Sequence, residues 1–529
     1  MKRLITILIM MLFVCITVAC SDSNKKDKSA DVEYTNIKPI EAFDRTDVLA
    51  QITGKTYYLD AAASAGGNGS EDNPFNALKD VQSVLQPGDG VIISDGNYGE
   101  FVESSASDRD SWIVYIAKEG HSPVFSKVEI VFPEPANAYI ILYGINIEVD
   151  WVDPASSGEP GADNPHYPSS TQNTYAKTEN VVILENVNYF QIYNGVLEGT
   201  NENLTKWGIW MSTVSNILIE KNEIKTLQIP IQLWYGNTVT IRNNHIHEMV
   251  SSCFRYGKEN TNVLIEKNHC HDMNWDVSEP YTPRADGENY HNSVIALYSG
   301  NVTIRNNVFH DGFTSSGIMF YTVPDYAFNN VVIENNLIYD IQTAVLRLND
   351  AGSNIYIRNN TIIGYYREHS MGRYNYYATL NIHSLAKGHD GSKIHIYNNI
   401  FAGGVTYYEG FDKINQGNNI FWSLLNEPTN TWITDTEILN NSKVITWDST
   451  FPTYFAKGFF VEDPVFTFAH HKTIDFRLSS TSEGLNFGDP ENQPSDSLGT
   501  LDANGFVQSN GKPRDSSNHS VGAYEGVAE

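Results

Sequence analysis

Cysteine is scarce: the chain has four in 529 residues, Cys15, Cys20, Cys253 and Cys270, and two of them fall within the first twenty positions. That is too few for a disulfide framework, and Cys253 and Cys270 are read as small buried hydrophobes rather than nucleophiles. No CxxC pair, Ser-His-Asp signature or Gly-rich phosphate loop is present to suggest redox, acyl-transfer or nucleotide chemistry. Positive charge is also short, with 35 Lys and Arg against 63 Asp and Glu and a formal net charge of −28. This argues against nucleic acid as a partner, because phosphate backbones need clustered basic side chains, and equally against adsorption to anionic lipid. After residue 19 no apolar run is long enough to cross a bilayer. What is abundant is hydrophobic (41%) and aromatic (12%) residues, with only 19% charged. Such a mix supports a large packed core and excludes disordered, collagen-like and coiled-coil chains.

Lys2 and Arg3 precede a nearly all-apolar run from Leu4 to Ala19, the charged and hydrophobic regions of a secretory signal. The run ends Thr17-Val18-Ala19-Cys20 and polar residues follow. This resembles a bacterial lipoprotein lipobox, with Thr17 in place of the usual Leu. The resemblance implies that Cys20 is lipidated and that the protein is an exported outer-membrane or surface lipoprotein, touching the membrane through its anchor only. A plain cleaved signal with a periplasmic or secreted product is the alternative.

Internal repeats dominate the middle of the chain. Seven twelve-residue segments align without gaps, starting at Asn216, Thr238, Asn262, Asn301, Asn330, Asn354 and Lys393. Their starts are 22, 24, 39, 29, 24 and 39 residues apart, a base period near 23 with insertions at chosen coils. Apolar and polar residues alternate within each segment, as in strands with one buried face, and β-branched residues are too dense for helix. The spacing predicts an all-β, single-stranded right-handed parallel β-helix with coils about 4.8 Å apart. Asn222, Asn244, Asn268, Asn307, Asn336, Asn360 and Asn399 form one column, expected to be a ladder because Asn tolerates the left-handed turn and its amides bond coil to coil. His247, His271 and His310 form another, open to a structural or a metal-binding reading. The expected domains are a signal at 1–19, a tether at 20–55, the β-helix with its N-terminal cap at 56–425 and a C-terminal capping region at 426–529.

The stretch from Thr56 to Tyr98 carries a Gly-rich turn, a helix near Asn76 to Leu85 and a strand at Val91 to Ser94. With its Gly88-Asp89-Gly90 and Asp95-Gly96-Asn97-Tyr98 punctuation, it resembles the cap and first coil of the pectate lyase-like superfamily, particularly the chondroitinase B and alginate lyase group. That resemblance covers about residues 56 to 425 and implies a polysaccharide lyase architecture. The group's catalytic residues are not recognisable, so no site carries over. The C-terminal stretch, with Asp475-Phe476-Arg477-Leu478 and Gly522-Ala523-Tyr524-Glu525, resembles the terminal module of exported bacterial β-helix proteins and reads as a closing cap.

In a stack of similar coils, function comes from what varies and projects outward. Aligning the strand before each repeat on Ile209, Leu233, Phe254, Leu297, Phe320, Leu346 and Ile382 as an inward column places Trp210, Trp234, Arg255, Tyr298, Tyr321, Arg347 and His383 in one outward row. Exposed aromatics in line suit stacking on sugar rings, and Arg suits carboxylate or sulfate through paired bonds. Ordinary packing under loops is the bland alternative. Two insertions wall this side, one from Asn274 to Asn292 with Arg284 and His291, the other from Gly364 to Ala378 with Arg367 and Arg373. Five carboxylates from Asp272 to Glu288 make the first a candidate Ca²⁺ loop.

These residues suit β-elimination on a uronic acid of an anionic polysaccharide or oligosaccharide, by a monomeric enzyme. Arg255 or Arg347 neutralises the carboxylate; His383, His291 or a Tyr takes the proton on carbon 5; Tyr298 or Tyr321 protonates the group leaving carbon 4. Trp210, Trp234, Arg284, Arg367 and Arg373 would hold the sugar chain. The leaving group is a sugar in a lyase and water in a dehydratase. The alternatives are a glycoside hydrolase, which needs two carboxylates about 5–9.5 Å apart, and a non-catalytic glycan binder.

Overall fold

Alternating β-branched residues give each repeat one apolar side, and a parallel partner on each edge completes its backbone hydrogen bonds. In the computed structural model the seven segments lie in register: Ile217 pairs with Val239, and the column continues through Val263, Val302, Val331, Ile355 and Ile394. The structure describes residues 37–105, 108–149, 180–199, 207–249, 251–273, 293–312, 316–321, 328–341, 344–348, 352–364, 378–382, 393–402, 404–407, 414–422 and 442–445, with short pieces between 478 and 525.

Each coil contributes to three faces. Faces one and two belong to a sheet of 20 strands and face three to a sheet of 12. Trp207–Glu220 and Ile229–Arg242 each turn the corner from face one to face two within a single strand. Face three then follows, as in Glu223–Leu227, His245–Met249 and His269–Cys270. Inward residues such as Ile209, Ile217, Ile224, Ile241 and Phe309 are fully buried along the solenoid axis. The fold is the parallel β-helix expected from the repeats.

The asparagine column is a continuous ladder, from Asn222 through Asn244, Asn268, Asn307, Asn336, Asn360 and Asn399 to Asn419. Each amide donates to the next side-chain oxygen at 3.0–3.2 Å. The left-handed conformation belongs to the residue before it: Lys221, Asn243, Lys267, Asn306, Asn335, Asn359, Asn398 and Asn418 have φ of 52–60°. The corner needs one left-handed residue, and the ladder Asn then points its amide inward.

Three other expectations are corrected. Residues 37–55 are not all tether: the helix Arg45–Ala50, capped by Asp44, buries Val48 against Val114, Ile116 and Ile141. Arg45 also donates to the Ala117 carbonyl. Cys253 and Cys270 are not free but joined by a disulfide, their Cα atoms 6.7 Å apart. Seventeen residues apart, they sit on faces one and three of one coil and meet in its interior.

The described C-terminal pieces do not merely close the stack. They lie along face three, where Leu498, Val507, Val521 and Ala523 cover Val308, Leu337, Ile400 and Ile420. The left-handed asparagines serve as pegs for this segment. Asn359, Asn398 and Asn418 donate to the carbonyls of Ser520, Asp489 and Phe487. The cap helix is Leu78–Gln82 and the first paired strands are Thr56–Leu59 and Gly90–Ile93.

Candidate functional site

Face one carries most of the described candidate residues, in two columns rather than one. The inward column is Ile209, Ile231, Phe254, Ile295, Ile318, Leu346 and Leu380. Leu233, Leu297 and Phe320, expected in that column, belong to the next inward one two residues on, with Met211, Tyr256 and Leu348, and Ile382 pairs in register with Leu348. The outward column between them is Trp210, Gln232, Arg255, Ala296, Met319 and Arg347. Trp234, Tyr298 and Tyr321 stand in the neighbouring column, where Glu185 and Ser212 precede them. A carboxylate therefore does face this side, upstream of the aromatics. A slip of two residues keeps every apolar side chain inside, so hydrophobic alternation alone does not detect it.

In the second column the rings stack: Trp234 on Tyr298 with centroids 6.1 Å apart, and Tyr298 on Tyr321 at 4.9 Å. Gly257 occupies the coil between Trp234 and Tyr298. A Cβ there would lie 2.2 Å from the Trp234 ring, so the indole bridges the gap only because this residue is Gly. Tyr321 shares a hydrogen bond of 3.3 Å with Ser293. Burial raises its phenol above the usual range, Tyr298 adds to this, and Ser293, Arg255 and Arg347 offset part of it. It stays protonated at neutral pH.

In the first column, Gln232 and Arg255 are paired across adjacent coils. Gln232 is 2% exposed. Among the described residues neither the Gln232 Nε2 nor the Arg255 Nε has a hydrogen-bond partner. Two adjacent buried donors left open are costly, about 1–3 kcal/mol each, and suit an anionic or carbonyl oxygen arriving from outside. Arg347 lies three coils on, about 14 Å along the axis at ~4.8 Å per coil. Both arginines are near enough to act on Tyr321.

His383, His291, Arg284, Arg367, Arg373 and Cys20 lie outside the described residues, as do the carboxylates from Asp276 to Glu288. Asp272, the first carboxylate of the candidate Ca²⁺ loop, accepts from His271 at 2.8 Å. Gln232 and Gly257 escaped the sequence reading because the two-residue slip hid the first and a missing side chain hid the second. The histidine column is present on face three: His247 stacks on His271 at 5.3 Å and His271 on His310 at 5.1 Å. His245 and His269 add a parallel column beside it, stacked at 5.1 Å.

Residues 169–401 match a family model described as a right handed beta helix region. The chain contains a right-handed parallel β-helix. No curated protein matches at a significant level. Among solved structures it is similar to a pectate lyase at 13% identity, with a TM-score of 0.45 over 89% of this chain and 96% of that one. It is also similar to a mannuronic acid specific polysaccharide family 6 lyase from human gut microbiota, at 14% identity and a TM-score of 0.40 over 75% and 92% of the two chains. A lacto-N-biosidase from Eubacterium ramulus is similar at 13% identity and a TM-score of 0.38, over 58% and 63%. At such identities and TM-scores these likenesses say nothing of activity, which has to be argued from the site.

Proposed function

We propose that this protein is an exported, lipid-anchored enzyme that acts on a uronic acid-containing polysaccharide or its oligosaccharides by β-elimination, with face one as its substrate groove. The observation that carries the reading is the pair of open buried donors, Gln232 Nε2 and Arg255 Nε, beside the stacked Trp234, Tyr298 and Tyr321. The donors suit a carboxylate. The aromatic column suits sugar rings at about one ring per coil.

The chemistry follows from these groups. Arg255 and Gln232 take the uronate carboxylate and spread the charge that develops when the carbon-5 proton leaves. The electron pair of that C–H bond forms the carbon 4–carbon 5 double bond, and the carbon 4–oxygen bond breaks. Tyr321, held protonated by burial, gives its proton to the departing oxygen. The base is sought among His383 and His291. Arg347, Trp210, Arg284, Arg367 and Arg373 would extend the groove, and Cys20 would carry the lipid. The enzyme is expected to act as a monomer, and the carboxylates near Asp272 are the place to test Ca²⁺ dependence.

The test offers the purified mature protein polyuronates and their oligosaccharides and follows the ultraviolet absorbance of the unsaturated product. Absorbance that rises, and is lost in Arg255→Ala, supports elimination in this groove. Product masses then separate loss of a sugar from loss of water. Release of reducing ends with no absorbance change overturns the reading and directs attention to Glu185; no change of either kind leaves a binding protein.

A further inference from the structure

Face three carries a second constellation that the elimination reading does not use. His245 pairs with His269 across adjacent coils, His247 and His271 stand two residues along the same strands, and His310 follows one coil on. Five of the chain's 15 histidines thus share one patch. One ring nitrogen from each of His245, His269 and His271 lies within 4.8 Å of the other two. The Nε2 atoms of His245 and His271 are 2.8 Å apart, and those of His269 and His310 are 2.7 Å apart.

The partners of the other ring nitrogens decide where the hydrogens sit. His269 Nδ1 is 2.8 Å from the Gly505 carbonyl oxygen, which only accepts, so Nδ1 carries the hydrogen. His271 Nδ1 and His310 Nδ1 face the carboxylates of Asp272 and Asp311, each at 2.8 Å. In their neutral forms all three rings therefore present a bare Nε2 lone pair to the cluster. Between His269 and His310 two lone pairs confront each other, an arrangement that calls for a cation. His245 keeps its hydrogen on Nε2 when it donates to His271 and shifts it to Nδ1 to coordinate.

We propose that His245, His269 and His271, with His310 packed beside His269, form a binding site for a zinc-class divalent transition metal that clamps the C-terminal segment to face three. Imidazole nitrogens without a carboxylate ligand suit zinc and its neighbours and not Ca²⁺ or Mg²⁺. The carbonyl on His269 Nδ1 and the carboxylate on His271 Nδ1 are the outer shell that orients metal-bound histidine. The C-terminal turn forms the lid: Phe506 packs edge-on against His245 with centroids 5.9 Å apart. Gly505, at φ +83°, has space for no side chain, since a Cβ would meet the His245 ring at 2.7–2.9 Å. Lys267 fastens the same turn by donating to Ser509.

The test uses the mature full-length chain, stripped with chelator and titrated with Zn²⁺ alone against a competing indicator dye, with melting temperature read in parallel. One equivalent bound and a raised melting temperature are expected, neither reproduced by Ca²⁺ or Mg²⁺. Asp272→Asn, which keeps every ligand while changing the partner of His271 Nδ1, should weaken zinc binding about 10–100-fold, and His269→Gln with His271→Gln should abolish it. Metal should also protect the segment around Gly505 from protease. Wild-type protein that binds less than a tenth of an equivalent overturns the proposal, whatever the variants do. So does one equivalent that His269→Gln with His271→Gln leaves intact.

Discussion

Arg255 is half-buried with its Nε unpartnered, beside a buried Gln232 amide in the same state. Under the proposed elimination that cost is recovered when a carboxylate from solution reaches these donors. Arg255→Met should therefore leave the urea midpoint unchanged or raised while elimination falls about 100-fold or more, the scale of losing one preorganised charge-stabilising donor. A fall in stability with activity retained would make Arg255 a packing residue. Tyr321 gives a pH prediction. Its phenol is raised by burial, so the protonated form persists past the ordinary tyrosine range. Activity that uses this proton should be level through neutral pH and fall only in strong alkali, and Tyr321→Phe should lower kcat at all lower pH values without moving the acid limb. At Gly257 the added methyl of Gly257→Ala would strike Trp234. An overpacking cost of about 1–3 kcal/mol and a raised KM are expected from denaturation and kinetics on the same preparation.

At the scale of the element, two ladders hold successive coils together. Asn268 donates to Ile241 O and Asn307 Oδ1 and accepts from the backbone and side-chain nitrogens of Asn244, all within 2.9–3.1 Å. Asn268→Ala strands several fully buried groups at about 1–3 kcal/mol each. A total loss on the order of 4 kcal/mol is expected in urea unfolding, and less than 1 kcal/mol would mean that water replaces the rung. On face two, Glu220, Arg242, Glu266 and Arg305 alternate in sign up one column, linked at 2.8–3.8 Å, and Glu334 and Arg358 continue it at 2.9 Å. That alternation is legible in the first six repeats, whose strands end in Glu, Arg, Glu, Arg, Glu and Arg in turn, before the seventh ends in Tyr397. The sequence reading passed over it because charge at a strand end ordinarily signals solvent. Here the three glutamates are 3–4% exposed.

For the whole molecule, the C-terminal segment is part of the solenoid's wall. Arg514 holds it: Nη1 and Nη2 donate to the carbonyls of Ser520, Tyr524, Gly522 and Ala523, to Glu525, and to Asn335 on the coil beneath. Arg514→Ala leaves these acceptors and the Glu525 carboxylate buried without their cation, a loss of about 3–5 kcal/mol. The segment should then become sensitive to limited proteolysis while the coils stay resistant. Equal digestion of wild type and variant would show that apolar cover alone suffices.

The sequence by itself determined the architecture, the coil register of faces two and three, and the asparagine ladder. Each of these repeats at every coil, and a local pattern repeated seven times leaves no competing alignment. Tertiary structure alone decided the register of face one, the disulfide across one coil and the C-terminal segment folding back onto the histidines. A strand's period of two makes a slip of two residues invisible to hydrophobicity, and contacts between residues more than 200 positions apart, such as His269 with Gly505, leave no periodic trace in the chain.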